Sequence, residues 1–118
     1  MQLDLIIFVT YKIKVIYVLR NPKDTLVSIF NFAKSFNHNE EFIGHLEEMA
    51  DLFLESKYWY GSWWAHVDEF VNLPKIHIVH YENLLKNPHK EIKRIAEYLD
   101  VDLSDNQLNE LVDYTNVF

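Results

Sequence analysis

Cysteine is absent from this chain, and of its 118 residues only two are glycine and three proline. Without thiols there is no disulfide framework and no cysteine-based zinc site, which agrees with a reducing compartment; a cytoplasmic protein is expected. So little glycine and proline leaves few of the closely spaced turns that an all-β sandwich needs. Cationic charge is scarce too: 11 Lys and Arg stand against 18 Asp and Glu, a formal net charge of −7. Nucleic-acid binders carry a basic face or tail, so nucleic acid is not an expected partner, and an anionic ligand has to be held by a local cluster of donors. No run approaches the ~20 apolar residues of a membrane span, so no membrane is expected as a partner. The N-terminal run Leu5 to Val9 is too short for a signal peptide, carries Asp4 where a basic residue belongs, and lacks a small-residue cleavage site. The N-terminal stretch reads as one or two buried strands.

What the chain does have is apolar and aromatic material, 49% and 15% of its residues. That is enough to bury a core, and the length suits one domain, residues 1–118. Leu3 to Thr10 and Lys14 to Leu19 are strand-like, and the unbroken apolar stretch Val15 to Leu19 predicts a parallel strand covered on both faces. Asn21-Pro22 ends it, with Asn21 as a possible N-cap and Pro22 at the first helical position. The apolar spacing predicts helices from Pro22 to about Phe36, from Glu40 to about Lys57, and from Trp63 through Val71 to a close at Pro74. Lys75 to Tyr81 alternates as a strand does, and Glu82 to Asn87 reads as a turn or short helical piece. Two last helices follow, PHKEIKRIAEYLD from Pro88 and one capped by Ser104-Asp105. Strands separated by helices predict an α/β fold, a mainly parallel sheet flanked by helices. Two or three strands are few for such a sheet, so a portion of a larger domain is expected.

The segment RNPKDTLVS, Arg20 to Ser28, carries the clearest chemistry. In open α/β sheets ligands sit at the carboxyl ends of strands, and Arg20 stands where the predicted strand ends. A guanidinium makes forked, charge-assisted contacts to phosphate, and a helix beginning just after it offers free N–H groups to an anion. Ser28 falls one turn past Asp24 with its side chain leaning back toward that turn, and Lys23 adds a second cation. The spacing alone leaves two readings open: a phosphate grip, or an arginine capping a sheet edge beside an ordinary helical serine. The six histidines show no metal-ligand spacing; His77 and His80, three apart in a strand, face opposite ways. No metal is expected. The cluster Tyr58, Trp59, Tyr60, Trp63, Trp64 is read first as core packing.

KVIYVLRNPKDTLVS resembles the central nucleotide-binding segment of the cytosolic sulfotransferases. Further stretches are similar in the same order: EEFIGHLEEMADLFLESKYWYGSWWAHVDEF to the family's "EFL…YGSW..HV..W" region, and IHIVHYENLLKNPHKEIKRIAEYLDVDLSD to its "YEDL..NP..EI..IA.FLG..LS" region. The likeness runs from about Lys14 onward and is poor before it. It implies a P-loop-like sulfotransferase fold and the donor 3′-phosphoadenosine 5′-phosphosulfate (PAPS). A sulfuryl group would pass from that donor to a hydroxyl or amine of a small acceptor such as a phenol or alcohol. By resemblance, Arg20 and Ser28 match the pair that binds the donor's 3′-phosphate, Tyr81 the tyrosine of the "YED" motif that contacts the nucleotide, Thr115 a threonine near the adenine, and Phe32 an aromatic residue of the acceptor pocket. Here the "YED" motif reads Tyr81-Glu82-Asn83, and the threonine lies in Tyr114-Thr115-Asn116-Val117, which departs from the family's "HTSF". The "YPKSGTTW" phosphosulfate loop, the catalytic histidine, the "RKG" loop and the dimerisation motif have no counterpart in these 118 residues. No catalytic residue is therefore assigned. The chain is expected to be a middle-to-late portion of such a domain; a homodimer is possible only for the full-length family. The alternative is a catalytically inactive fragment or a nucleotide-binding or interaction module of the same fold.

Overall fold

The structure is a computed structural model that describes residues 13–36, 44–58 and 61–115. The strand expected at Leu3 to Thr10 lies outside these residues, as do Trp59 and Tyr60 of the aromatic cluster. In chain order the described elements are β1 (Val15–Leu19), α1 (Pro22–Phe36), α2 (Leu46–Leu54), α3 (Trp63–Val71), β2 (Ile76–His80), α4 (Tyr81–Lys86), α5 (Pro88–Tyr98) and α6 (Asp105–Thr115). They fall into two compact units, one of Arg20–Asn72 and one that joins the stretch up to Leu19 with the chain from Leu73 onward.

In the unit that holds the sheet, β1 and β2 pair in parallel, with Val15 opposite Ile76 and Leu19 opposite His80. α5 packs on both β2 and α6, and α4 follows β2 directly. Val79, Ala96 and Val112, one residue from each of β2, α5 and α6, form the buried centre. α5 starts at Pro88, where the missing N–H costs nothing because the first helical amides have no intrahelical partner. It ends in a Schellman motif: Val101 N–H donates to Ala96 O (2.9 Å) and Asp100 N–H to Glu97 O (3.1 Å), with Asp100 left-handed at φ 59°. The sequence spacing carried this helix to Asp100; the motif stops it at Tyr98. α6 begins with a capping box, in which Ser104 Oγ accepts from Gln107 N–H (3.3 Å) and Gln107 Oε1 accepts from Ser104 N–H (3.0 Å). Glu91, only 3% exposed, is held at the start of α5 by Arg94, whose Nη1 donates to both carboxylate oxygens at 3.2 and 3.0 Å.

Coverage of β1 differs from the sequence expectation. Residues along it alternate between half-buried and exposed, and Ile16 and Val18 are 37% and 55% exposed. Among the described elements the helices that pack on the sheet do so mainly on β2, which leaves Ile16 and Val18 of β1 exposed. Tyr17, on the other face, is half-buried, and that burial pushes its phenol above its ordinary value.

In the unit Arg20–Asn72, α1 packs on α2, and Phe30, Met49 and Phe53 are buried. α2 is shorter than the expected helix from Glu40 to Lys57, of which residues 40–43 lie outside the described ones. Gly44 is left-handed at φ 64°, so the helix cannot run through it, and the Glu48 carboxylate accepts from His45 N–H (3.1 Å) just after. A Cβ on Gly44 would lie 2.1 Å from Glu48 Oε2, so a side chain there would push that carboxylate off its donor. The far end closes in a second Schellman motif, with Lys57 N–H donating to Leu52 O (2.9 Å) and Ser56 left-handed at φ 58°. Ser62 caps α3, its Oγ accepting from Ala65 N–H (3.1 Å). Trp64 meets Phe53 and Trp63 edge-on, each at 5.6 Å between centroids, yet Trp64 remains exposed. Core packing accounts for part of the aromatic cluster only.

Candidate functional site

The parallel register brings the ends of β1 and β2 level, since Leu19 and His80 are partners. Arg20 is the residue after Leu19, and Tyr81 is the residue after His80. Arg20 is half-buried, and its Nε is withdrawn from solvent. Tyr81, expected at the end of a strand, instead opens α4, with His80 at its N-cap. Arg20 lies between β1 and α1, and Tyr81 is the first residue of α4 directly after β2.

The start of α1 is less open to an anion than the sequence suggested. Asn21 Oδ1 accepts from Lys23 N–H (2.9 Å), and Asn21 O accepts from both Thr25 N–H and Thr25 Oγ1 at 2.9 Å. Pro22 has no N–H to offer. Two of the first three amide positions are thus filled or absent, and Asp24 adds negative charge to the same turn. A ligand phosphate here would depend on side chains. Of these, Lys23 and Ser28 are exposed, and the Ser28 hydroxyl makes no hydrogen bond to another described residue. Phe32 is 65% exposed on α1.

Thr115 ends α6 in the sheet-bearing unit, and its Oγ1 donates to Val112 O at 3.0 Å, leaving the oxygen as an acceptor. Asn116 and Val117, which complete its motif, lie outside the described residues. Among the described residues no group of three or more His, Cys, Asp or Glu could hold a metal ion, and no helix is long and apolar enough to cross a membrane. Sequence reasoning missed one well-connected polar side chain, Tyr98. It sits inside an apolar helix stripe, where its spacing gives no sign that its hydroxyl reaches both strands.

Parallel strands separated by helices, with candidate ligand residues at their carboxyl ends, define an α/β protein of the kind that binds ligands at that edge. The particular family is shown by comparison: residues 2–117 match the sulfotransferase domain family, and the chain belongs to it. The match also takes in the stretch before Lys14, where the motif likeness is poor. The chain is 40% identical over 108 residues to sulfotransferase 1A1 of Mus musculus, covering 89% of this chain and 37% of that protein. It is 34% identical over 105 residues to cytosolic sulfotransferase 12 of Arabidopsis thaliana, covering 84% and 32%. Among solved structures, a mouse sulfotransferase complexed with PAP superposes with a TM-score of 0.78 at 30% identity, over 92% of this chain and 40% of that one. A retinol dehydratase in complex with androsterone and the inactive cofactor PAP gives 0.79 at 28% identity, over 87% and 31%. The chain therefore spans between about a third and two fifths of the length of these relatives.

Proposed function

We propose that this chain supplies the 3′-phosphate-binding part of a PAPS site, in a domain that transfers the sulfuryl group to a hydroxyl or amine of a small acceptor. The observation that carries the reading is the β1–β2 register, which ends both strands level and sets a donor-bearing residue, Arg20 or Tyr81, directly after each. Two structural relatives solved with PAP support the same ligand class. Bound PAPS would bring the transferable sulfuryl group; the residues here would hold its nucleotide end. Arg20 would fork onto the 3′-phosphate, and Ser28 would donate its uncommitted hydroxyl to it. Tyr81 would contact the nucleotide, and Thr115 would stand near the adenine. Because Asn21 and Pro22 occupy the helix start, the phosphate charge would fall on side chains, with Lys23 as a further cation. Likeness to a cytosolic plant sulfotransferase supports a cytoplasmic location.

Calorimetric titration with 3′,5′-adenosine bisphosphate tests this. A saturable heat is expected for the wild-type chain. Arg20→Ala should weaken binding at least about tenfold, the scale of a lost charge-assisted hydrogen bond, and Ser28→Ala should weaken it less. Absence of saturable heat with the wild-type chain sinks the reading.

A further inference from the structure

We infer that Asn21 is a specificity-determining residue of the proposed site: it caps α1 without charge, and so adds no carboxylate to compete with a phosphate for Arg20. The inference rests on the reading of Arg20 as the phosphate-binding side chain. Asn21 closes the start of α1 with both of its acceptors. Its Oδ1 accepts from Lys23 N–H at 2.9 Å, and its backbone O accepts from Thr25 N–H and Thr25 Oγ1, each at 2.9 Å. Pro22, the first residue of the helix, has no N–H to satisfy. With Lys23 N–H committed to the cap, an anion here is held by side-chain charge, and Arg20 immediately precedes the cap.

Stability does not explain why an amide stands at this position. Asn, Asp and Ser serve about equally well as N-caps, and a carboxylate gains a further attraction to the helix dipole. The chain is rich in carboxylates, with 18 Asp and Glu against 11 Lys and Arg. One of them, Asp24, already stands in the first turn of α1. What separates the cap types is charge beside the cation. Adjacent Cα atoms are about 3.8 Å apart, well inside the ~8 Å over which charges act in physiological salt. A carboxylate at position 21 would attract the neighbouring guanidinium and repel a phosphate bound to it. Asp24 directly follows Lys23, whereas position 21 directly follows Arg20. The cation that a charged cap would neutralise is therefore the one that the site uses. The amide accepts the same hydrogen bond from Lys23 N–H and leaves that charge intact.

The test is Asn21→Asp, with Asn21→Ser as its neutral counterpart, titrated calorimetrically with 3′,5′-adenosine bisphosphate at low and high salt. At low salt Asn21→Asp should bind about three- to tenfold more weakly than the wild-type chain. That loss should shrink to about twofold or less at about 1 M salt, where the Debye length is about 3 Å. Asn21→Ser, a neutral cap, should stay within about twofold of wild type at both salt concentrations. Urea midpoints report on the cap itself, and Asn21→Asp should unfold at the wild-type midpoint or above it. Wild-type affinity in Asn21→Asp at low salt overturns the inference. So does a loss that salt does not reduce, an equal loss in Asn21→Ser, or a lowered midpoint in Asn21→Asp, because each makes Asn21 a purely structural cap. Failure of the wild-type chain to bind the bisphosphate overturns the site reading and this inference together. Wild-type binding that Arg20→Ala weakens and Asn21→Asp leaves unaltered overturns the inference alone.

Discussion

Val18 and Val79 are the same residue type, stand opposite each other in one parallel ladder, and project to the same face of the sheet. Val79 is 0% exposed and Val18 is 55% exposed. The difference lies in what covers them: α5 packs on β2, and His77 stacks under Tyr98 on that face. Residue type and ladder pairing are therefore equal at these two positions, and among the described residues it is the helix layer that separates the buried one from the open one. Apolar sequence marks a surface that can be buried; it does not mark which neighbour buries it.

The sharpest way to break this comparison is to truncate both valines. Val79→Ala removes two methyl groups from a fully buried position and should destabilise by about 2–3 kcal/mol, read as a lower urea midpoint at constant slope. Val18→Ala should cost well under about 1 kcal/mol, because the lost surface is already half in water. Equal effects would mean that both faces of β1 are covered in solution. A smaller effect probes the ties between β1 and α5. Ser56→Gly relieves a left-handed serine at a helix end with no ion pair at stake, and should stabilise by about 1 kcal/mol. Asp100→Gly relieves the same strain but loses the exposed pair with Lys14, and should gain less by the worth of that pair, about 0–1 kcal/mol. The gap between the two midpoints measures how strongly charge holds the start of β1. The smallest effect concerns Tyr17. Its folded phenol titrates above the ordinary value of 10.0 because burial disfavours the phenolate. The folded state keeps that proton more tightly than the unfolded state does, so the contribution is intact below pH 10 and is lost as pH rises through the folded value. Urea midpoints on either side of pH 10 should fall with alkalinity in the wild-type chain and fall less in Tyr17→Phe.

Element types were legible in the sequence because their signals are local. Asn21-Pro22 and Pro88 marked helix starts, and the apolar spacing of 63–71 and 88–98 gave two helices nearly to their ends. Helix ends were less legible. Ser56 and Asp100 adopt left-handed caps that are usually read from glycine, and a chain with two glycines has to place other residues there. Tyr81 read as strand because alternation continues through it, whereas the helix that it opens is set by packing around β2. At the candidate site, Arg20, Ser28, Tyr81 and Thr115 could be named from motifs. That Asn21 would occupy the helix start, and that Phe32 would stand exposed, depended on side-chain geometry that no spacing encodes. Tyr98 was invisible for the same reason: its partners are one backbone N–H and one carbonyl, groups every residue carries.

The ladder between β1 and β2 also bears on how the chain folds. Val15 meets Ile76 roughly sixty residues later, with a whole compact unit between them, so the pairing has to close a long loop before any contact rewards it. During synthesis β1 cannot form this ladder until β2 has been made. The intervening helices can collapse locally in that interval, and their compaction shortens the distance the two strands must search. Linking the strands is then the late, slow event, and a chain halted before Ile76 would leave the edge of β1 that pairs with β2 unmatched and open to association.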